Sequence, residues 1–256
     1  MSFTNKVTDL PVAVVNGGQS DGEIVYLVDE SDEKASKIIK HKPQKIVELE
    51  DGKFQVLPRQ GIRVLYICGS SGSGKSTFAS NYVKEYLDLY PKTKVFIFSQ
   101  LSEDPAFKNI KAHRVTLDES LITEPVDIED IPRGSIILFD DCSDCEDDLQ
   151  TAINRLETQL LVLGRKLELQ VIITSHLINP DSSKHIRNRL NEAQALVFFP
   201  QSGSVSQATY NLKKHFGYST RQIQNIMDID SRWIMCTKTY PNILISEHKI
   251  TLAREI

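Results

Sequence analysis

The chain has 256 residues, of which 40% are hydrophobic, 25% charged and 7% aromatic, a composition that excludes collagen-like, low-complexity and wholly disordered proteins. No apolar run approaches the roughly 20 residues that span a bilayer, Met1–Asn16 lacks the apolar core of a secretory leader, and four cysteines (68, 142, 145, 236) make no disulfide framework. The net charge of −4 divides unevenly: residues 1–150 carry 17 Lys and Arg against 26 Asp and Glu, whereas residues 151–256 carry 13 against 8. An intracellular protein of a reducing compartment is expected, acidic in its first half and basic in its second.

Residues 1–60 are expected to form a small β-rich N-terminal extension. Pro11–Val15, Glu23–Val28 and Lys45–Glu50 are short β-branched runs separated by turn signals at Asn16-Gly17-Gly18, Asp21-Gly22 and Asp51-Gly52. Asp29–Lys40 is a polar helix or a loop. Residues 61–256 form the main domain, where apolar strands alternate with helices. Strands are predicted at Arg63–Cys68, Lys94–Ser99, Ser135–Asp140, Gln170–Thr174 and Ala195–Phe199, and helices at Ser76–Leu89 and Asp147–Leu163. Continuously apolar strands are buried on both faces. The expected fold is therefore α/β, with a mostly parallel five-stranded sheet flanked by helices.

Directly after the first of these strands lies Gly69-Ser70-Ser71-Gly72-Ser73-Gly74-Lys75-Ser76, which fits G-x-x-x-x-G-K-[ST], with Thr77 following in the helix. Glycines let the backbone close into a nest whose N–H groups face phosphate oxygens, and the helix that follows adds its positive end. Lys75 supplies a point charge for the β- and γ-phosphates of ATP, and the Ser76 hydroxyl is a ligand for Mg²⁺. The strand Ile136–Phe139 then ends in Asp140 and Asp141. Asp140 is placed to complete the Mg²⁺ shell and Asp141 to orient the attacking water.

Three features are ambiguous from sequence. Val171–His176 is a strand ending in polar residues, so His176 is either a γ-phosphate sensor or a hydrogen-bonded histidine at a strand end. Arg165 is either an arginine finger or a cation at a helix C-terminus. Cys142-x-x-Cys145 has metal-like spacing but no second pair, and the acidic stretch around it fits a solvated loop. In the basic half, Lys184, Arg187, Arg189, Lys213 and Lys214 are candidates for contacts to a phosphate backbone; the alternative is a merely solvated face.

From about Ile62 to Met235 the chain resembles the poxvirus-type genome-packaging ATPases of large DNA viruses, within the FtsK/HerA superfamily of ring-forming DNA motors. The resemblance rests on the P-loop at Gly69–Ser76, the twin aspartates ending Ile136–Asp141, Gly164-Arg165, the strand to His176, and Asn188–Phe199. It implies a sheet order of 5-1-4-3-2, an Arg165 reaching a neighbouring subunit's site, and a γ-phosphate sensor at His176, where the superfamily usually has Gln. It further implies an ATP-driven double-stranded DNA translocase loading a genome into a capsid as a homo-oligomeric ring. Capsid or virion-assembly proteins are then expected partners, in host cytoplasm, viral factory or virion. Alternatives are a related translocase of a mobile element, a P-loop small-molecule kinase, and a scaffold that binds ATP without hydrolysing it.

Overall fold

In the computed structural model, which describes all residues except 7, 9, 30–43, 60, 143–144, 177–183 and 203–204 (and only the backbone of 184–186), the first 60 residues supply five strands. These are β1 (Ser2–Thr4), β2 (Pro11–Asn16), β3 (Ile24–Val28), β4 (Ile46–Glu48) and β5 (Lys53–Val56). Four of them form an antiparallel sheet in the order β1-β3-β2-β5, while β4 pairs instead with the last strand of the chain. Most of the segment read as a polar helix or loop, Asp29–Lys40, lies outside the described residues.

The main sheet is built on β6 (Val64–Cys68), β7 (Val95–Ser99), β8 (His113–Thr116), β9 (Ile136–Asp140), β10 (Gln170–Ser175) and β11 (Ala195–Phe198). It continues through β12 (Ile234–Thr237), β13 (Ile243–Ser246) and β14 (Lys249–Leu252). The full order is β4-β14-β13-β12-β11-β6-β10-β9-β7-β8. The six strands from β11 to β8 are parallel, and the remainder pair antiparallel. The five strands expected from sequence stand in the order 5-1-4-3-2, and the sheet is ten-stranded because further strands extend both edges.

Every residue of β6, β9 and β11 is buried, as expected of strands covered on both faces. Alternation along β6 divides the core. Val64, Tyr66 and Cys68 join one cluster with α3 (Asp147–Leu163), while Leu65 and Ile67 join the other with α1 (Lys75–Leu89) and the N-terminal sheet. The short helix α2 (Ser120–Thr123) precedes β9. On the α3 side lie α4 (Lys184–Glu192), α5 (Val205–Lys214) and α6 (Thr220–Met227). Beside α1, Phe54 and Val56 of β5 pack into the same core as Phe78, Tyr82 and Val83. Fully burying each such apolar side chain contributes about 1.5–3 kcal/mol, so the N-terminal sheet is packed firmly against the helix that follows the loop 69–74. Among the described residues, no helix is long and apolar enough to cross a membrane.

Candidate functional site: a phosphate-binding loop at the sheet's C-terminal edge

The loop 69–74 leaves β6 at the carboxyl edge of the parallel strands, where open α/β sheets bind ligands. Two glycines take left-handed backbone, Gly72 at φ 74° and Gly74 at φ 107°. At Gly69 the constraint is space: a Cβ there would stand 2.7 Å from Ser73 Oγ and 2.8 Å from Phe199 Cδ2. The loop is tied to its neighbour by Gly69 N–H donating to the Ser175 carbonyl at 3.2 Å, and it is tightened by Ser73 N–H donating to the Ser70 carbonyl at 3.2 Å. Ser71 caps the exposed crest of the turn, and Thr77 lies one residue beyond Ser76 in α1.

Lys75 is buried, and its ammonium donates to the Ser70 carbonyl at 3.2 Å. It also lies 3.2 Å from His176 Nδ1 and 3.7 Å from Asp141 Oδ2, and His176 Nε2 lies 3.1 Å from that same oxygen. An ammonium has only protons to offer, so Nδ1 accepts from Lys75 and Nε2–H donates to the carboxylate. Asp141 follows β9 at φ 50°, a left-handed conformation that aspartate tolerates better than most residues. The turn brings its carboxylate back toward the loop.

Asp140 ends β9 under the loop. Its Oδ1 accepts from Ser76 Oγ at 3.3 Å and from Thr174 Oγ1 at 2.9 Å, and Thr174 Oγ1 accepts the backbone N–H of Asp141 at 3.0 Å. Burial pushes the Asp140 carboxyl above the usual carboxylate range; the Thr174 hydrogen bond opposes this and the neighbouring Asp141 charge adds to it. Asp141 Oδ1 and Ser73 Oγ are buried with no hydrogen-bond partner among the described residues. A carboxylate short of counter-charge, a hydroxyl beside it and an unpartnered carboxylate oxygen are hard oxygen donors. They fit a Mg²⁺ that keeps several waters and binds phosphate oxygens. Among the described residues, no cluster of three or more His, Cys, Asp or Glu side chains is placed to hold a metal by itself.

Arg165 is not brought to this site. It is exposed in the turn between α3 and β10, near Arg63, at the opposite end of the strands. The six residues of β10 alone separate the two ends by about 20 Å. Arg189 departs from its expected surface role. It is buried against α3, with Nε donating to Glu157 Oε2 at 2.6 Å, because the inward face of α4 turns it into the core. Arg187, Lys213 and Lys214 are exposed, and the side chain of Lys184 lies outside what is described. Cys142 is buried and donates to the Phe98 carbonyl at 3.3 Å, and burial pushes its thiol well above the ordinary value, against thiolate formation.

Thr174 escaped the sequence reading as an individual residue. Its signal was its position as the first polar side chain at the end of an otherwise apolar strand.

A P-loop after the first strand, twin carboxylates after the third and a polar residue after the fourth, on a 5-1-4-3-2 sheet, define a P-loop NTPase fold. No family model matches the sequence. The chain belongs to the same family as the Sputnik virophage protein named Uncharacterized protein V3, to which it is 36% identical over 252 residues, covering 97% of this chain and 98% of that one. Its fold is similar to that of the pCW3 conjugation coupling protein TcpA bound to ATPγS, with a TM-score of 0.51 at 10% identity over 92% of this chain and 76% of that chain. It is also similar to the cytoplasmic domain of the Thermomonospora curvata type VII secretion ATPase EccC, with a TM-score of 0.51 at 13% identity over 86% of this chain and 30% of that chain.

Proposed function

We propose that the chain is a Mg²⁺-dependent ATPase that drives double-stranded DNA, loading a viral genome into a capsid as a homo-oligomeric ring. The observation that carries the reading is the line Lys75–His176–Asp141, hydrogen-bonded across three separate elements at the mouth of the P-loop. Lys75 holds the terminal phosphates, the nest N–H groups orient the chain of phosphates, and Asp141 orients a water for in-line attack. Ser76 and Asp140 would hold Mg²⁺, which would neutralise charge on the phosphate oxygens. His176 reports whether Lys75 is engaged by Asp141 or by phosphate.

Double-stranded DNA as the substrate is supported by the family tie to a virophage protein, by a fold shared with a conjugation coupling protein, and by exposed Arg187, Lys213 and Lys214. Host cytoplasm, viral factory or virion is the corresponding location, with capsid proteins as partners.

The test is phosphate release from Mg²⁺·ATP, with and without linear double-stranded DNA. Stimulation by DNA that fades as salt rises is expected, because phosphate contacts release counterions. Lys75→Ala should lose nucleotide binding. Asp141→Asn should bind Mg²⁺·ATP and fail to hydrolyse it. Hydrolysis indifferent to DNA would overturn the motor reading, and absence of nucleotide binding would overturn the ATPase reading.

A further inference from the structure

Beside the P-loop, on the side away from Asp140 and His176, a cleft of about 310 Å³ opens at Gly74 and Thr77. One wall is α1, through Phe78 and Asn81, and the facing wall is β5 of the N-terminal sheet, through Lys53 and Gln55. The cleft exists because that sheet docks next to α1: Gln55 donates through Nε2 to Glu85 Oε1 and accepts from Asn16 Nδ2 at 2.6 Å.

Next to Gly74 the cleft is aromatic and cationic. Trp233 meets Phe78 edge to face, with ring centroids 4.9 Å apart. Arg232 is exposed beside them, and its Nη2 lies 3.5 Å from where a Cβ on Gly74 would stand. Glu247, the acid of this cleft, is already engaged. Its Oε1 accepts from Lys53 Nζ at 2.8 Å and its Oε2 from the Arg232 backbone N–H at 2.8 Å. Among the described residues no carboxylate pairs with the Arg232 guanidinium. The cleft thus presents a planar cation without a carboxylate partner and aromatic carbon, while Glu247 and Gln55 are already engaged.

A triphosphate whose terminal phosphates sit at Lys75 and Asp140 must lead its remaining part along the loop, past Gly74 and Thr77. We infer that this cleft holds the nucleoside, its base lying against the Arg232 guanidinium and the Phe78–Trp233 pair, with the N-terminal sheet as the outer wall. The inference rests on the nucleotide reading of the P-loop and extends it to residues outside that loop. The volume lies at the small end of ligand pockets, suited to one nucleoside rather than a larger group. Guanidinium and aromatic surfaces recognise the flat face of a base rather than its edge. A role for the first 60 residues follows: they complete the nucleotide site from outside the ATPase core.

The experiment compares Mg²⁺·ATP with Mg²⁺·tripolyphosphate, the phosphate chain without a nucleoside, on the full-length protein. Wild type should bind ATP about tenfold or more tighter than tripolyphosphate. Arg232→Ala, which keeps the backbone bond to Glu247, should weaken ATP about tenfold and leave tripolyphosphate within about twofold. Asn81→Trp, filling the cleft from α1, should reproduce that selective loss, with circular dichroism confirming that both variants fold. Equal affinity of wild type for the two ligands, or a parallel loss of both in the variants, overturns the nucleoside cleft while the P-loop reading stands. Binding of neither ligand by wild type overturns both.

Discussion

The ammonium of Lys75 stands 3.2 Å from Nδ1 of His176, so two residues 101 positions apart share one hydrogen bond at the mouth of the P-loop. The other ring nitrogen meets Asp141, which makes His176 the link between the P-loop lysine and the carboxylate proposed to orient water. Replacing it by alanine should leave ATP affinity within a few fold and lower hydrolysis about 10²-fold, the scale of a lost positioning group. Glutamine, whose carbonyl can accept from Lys75 while its amide donates to Asp141, should retain most of the rate. Nucleotide titration beside single-turnover phosphate release separates the two effects. An alanine variant as fast as wild type would remove His176 from the site.

Asp140 is held at a cost in stability. Burial raises its folded pKa above the unfolded value, so the folded state binds the proton more tightly. Stability therefore falls as pH rises from the usual carboxylate range through the raised folded value, and the penalty is complete above it. Asp140→Asn keeps an oxygen to accept from Ser76 and Thr174 and removes the charge. Without Mg²⁺ at neutral pH, the variant should be more stable by about 0.5–2 kcal/mol, and the gap should close as pH falls into the carboxylate range. Mg²⁺·ATP should then stabilise wild type more than the variant, which keeps Lys75 and the loop but loses a metal ligand. Thermal melts across pH with and without Mg²⁺·ATP decide it, and an Asn variant less stable at neutral pH would contradict the account.

Arg165 stands at the wrong end of its own sheet to touch its own P-loop, and it is flanked by exposed Val162 and Leu163. Exposed apolar neighbours suit a subunit contact. An arginine completing another subunit's site is worth roughly 10³–10⁵ in rate, so Arg165→Ala should bind ATP normally and hydrolyse it very slowly. Mixing it with Lys75→Ala should restore part of the activity, because some interfaces then pair a sound loop with a sound arginine. Native mass spectrometry checks that the two variants assemble together. Co-assembly without recovered hydrolysis would leave Arg165 as a helix-end cation.

The buried pair Glu157–Arg189 joins α3 to α4, which carries the chain onward from beyond His176. Removing one partner strands a buried charge. Arg189→Met alone should therefore cost about 3–5 kcal/mol, whereas Glu157→Leu with Arg189→Met should recover much of that loss. Urea unfolding of the two single variants and the double variant gives the comparison. A single variant as stable as wild type would show that the pair is solvated.

The sequence by itself determined the α/β class, the five parallel strands, the loop from Gly69 to Ser76 and the carboxylates at Asp140 and Asp141. Each of these is a local property. A short apolar run such as Val64–Cys68, ended by a glycine turn, is too short for a helix and reads as a strand covered on both faces, and a nest of glycines before Lys75 needs no distant partner to be recognised. The tertiary structure decided what depends on residues far apart in the chain. Arg189 and Arg187 are alike in sequence, and only the packing of α4 on α3 sends one to Glu157 and leaves the other exposed. Thr174 matters because β10 lies beside β9, and Arg165 is excluded from its own site because the turn carrying it opens the strand that ends at the P-loop edge. The β-rich leader showed three of its five strands in sequence, those at Pro11–Asn16, Ile24–Val28 and Ile46–Glu48, but neither Ser2–Thr4 and Lys53–Val56 nor its place in the fold. Where Phe54 and Gln55 come to rest was decided by the core they share with α1, an interaction of surfaces that no local pattern encodes.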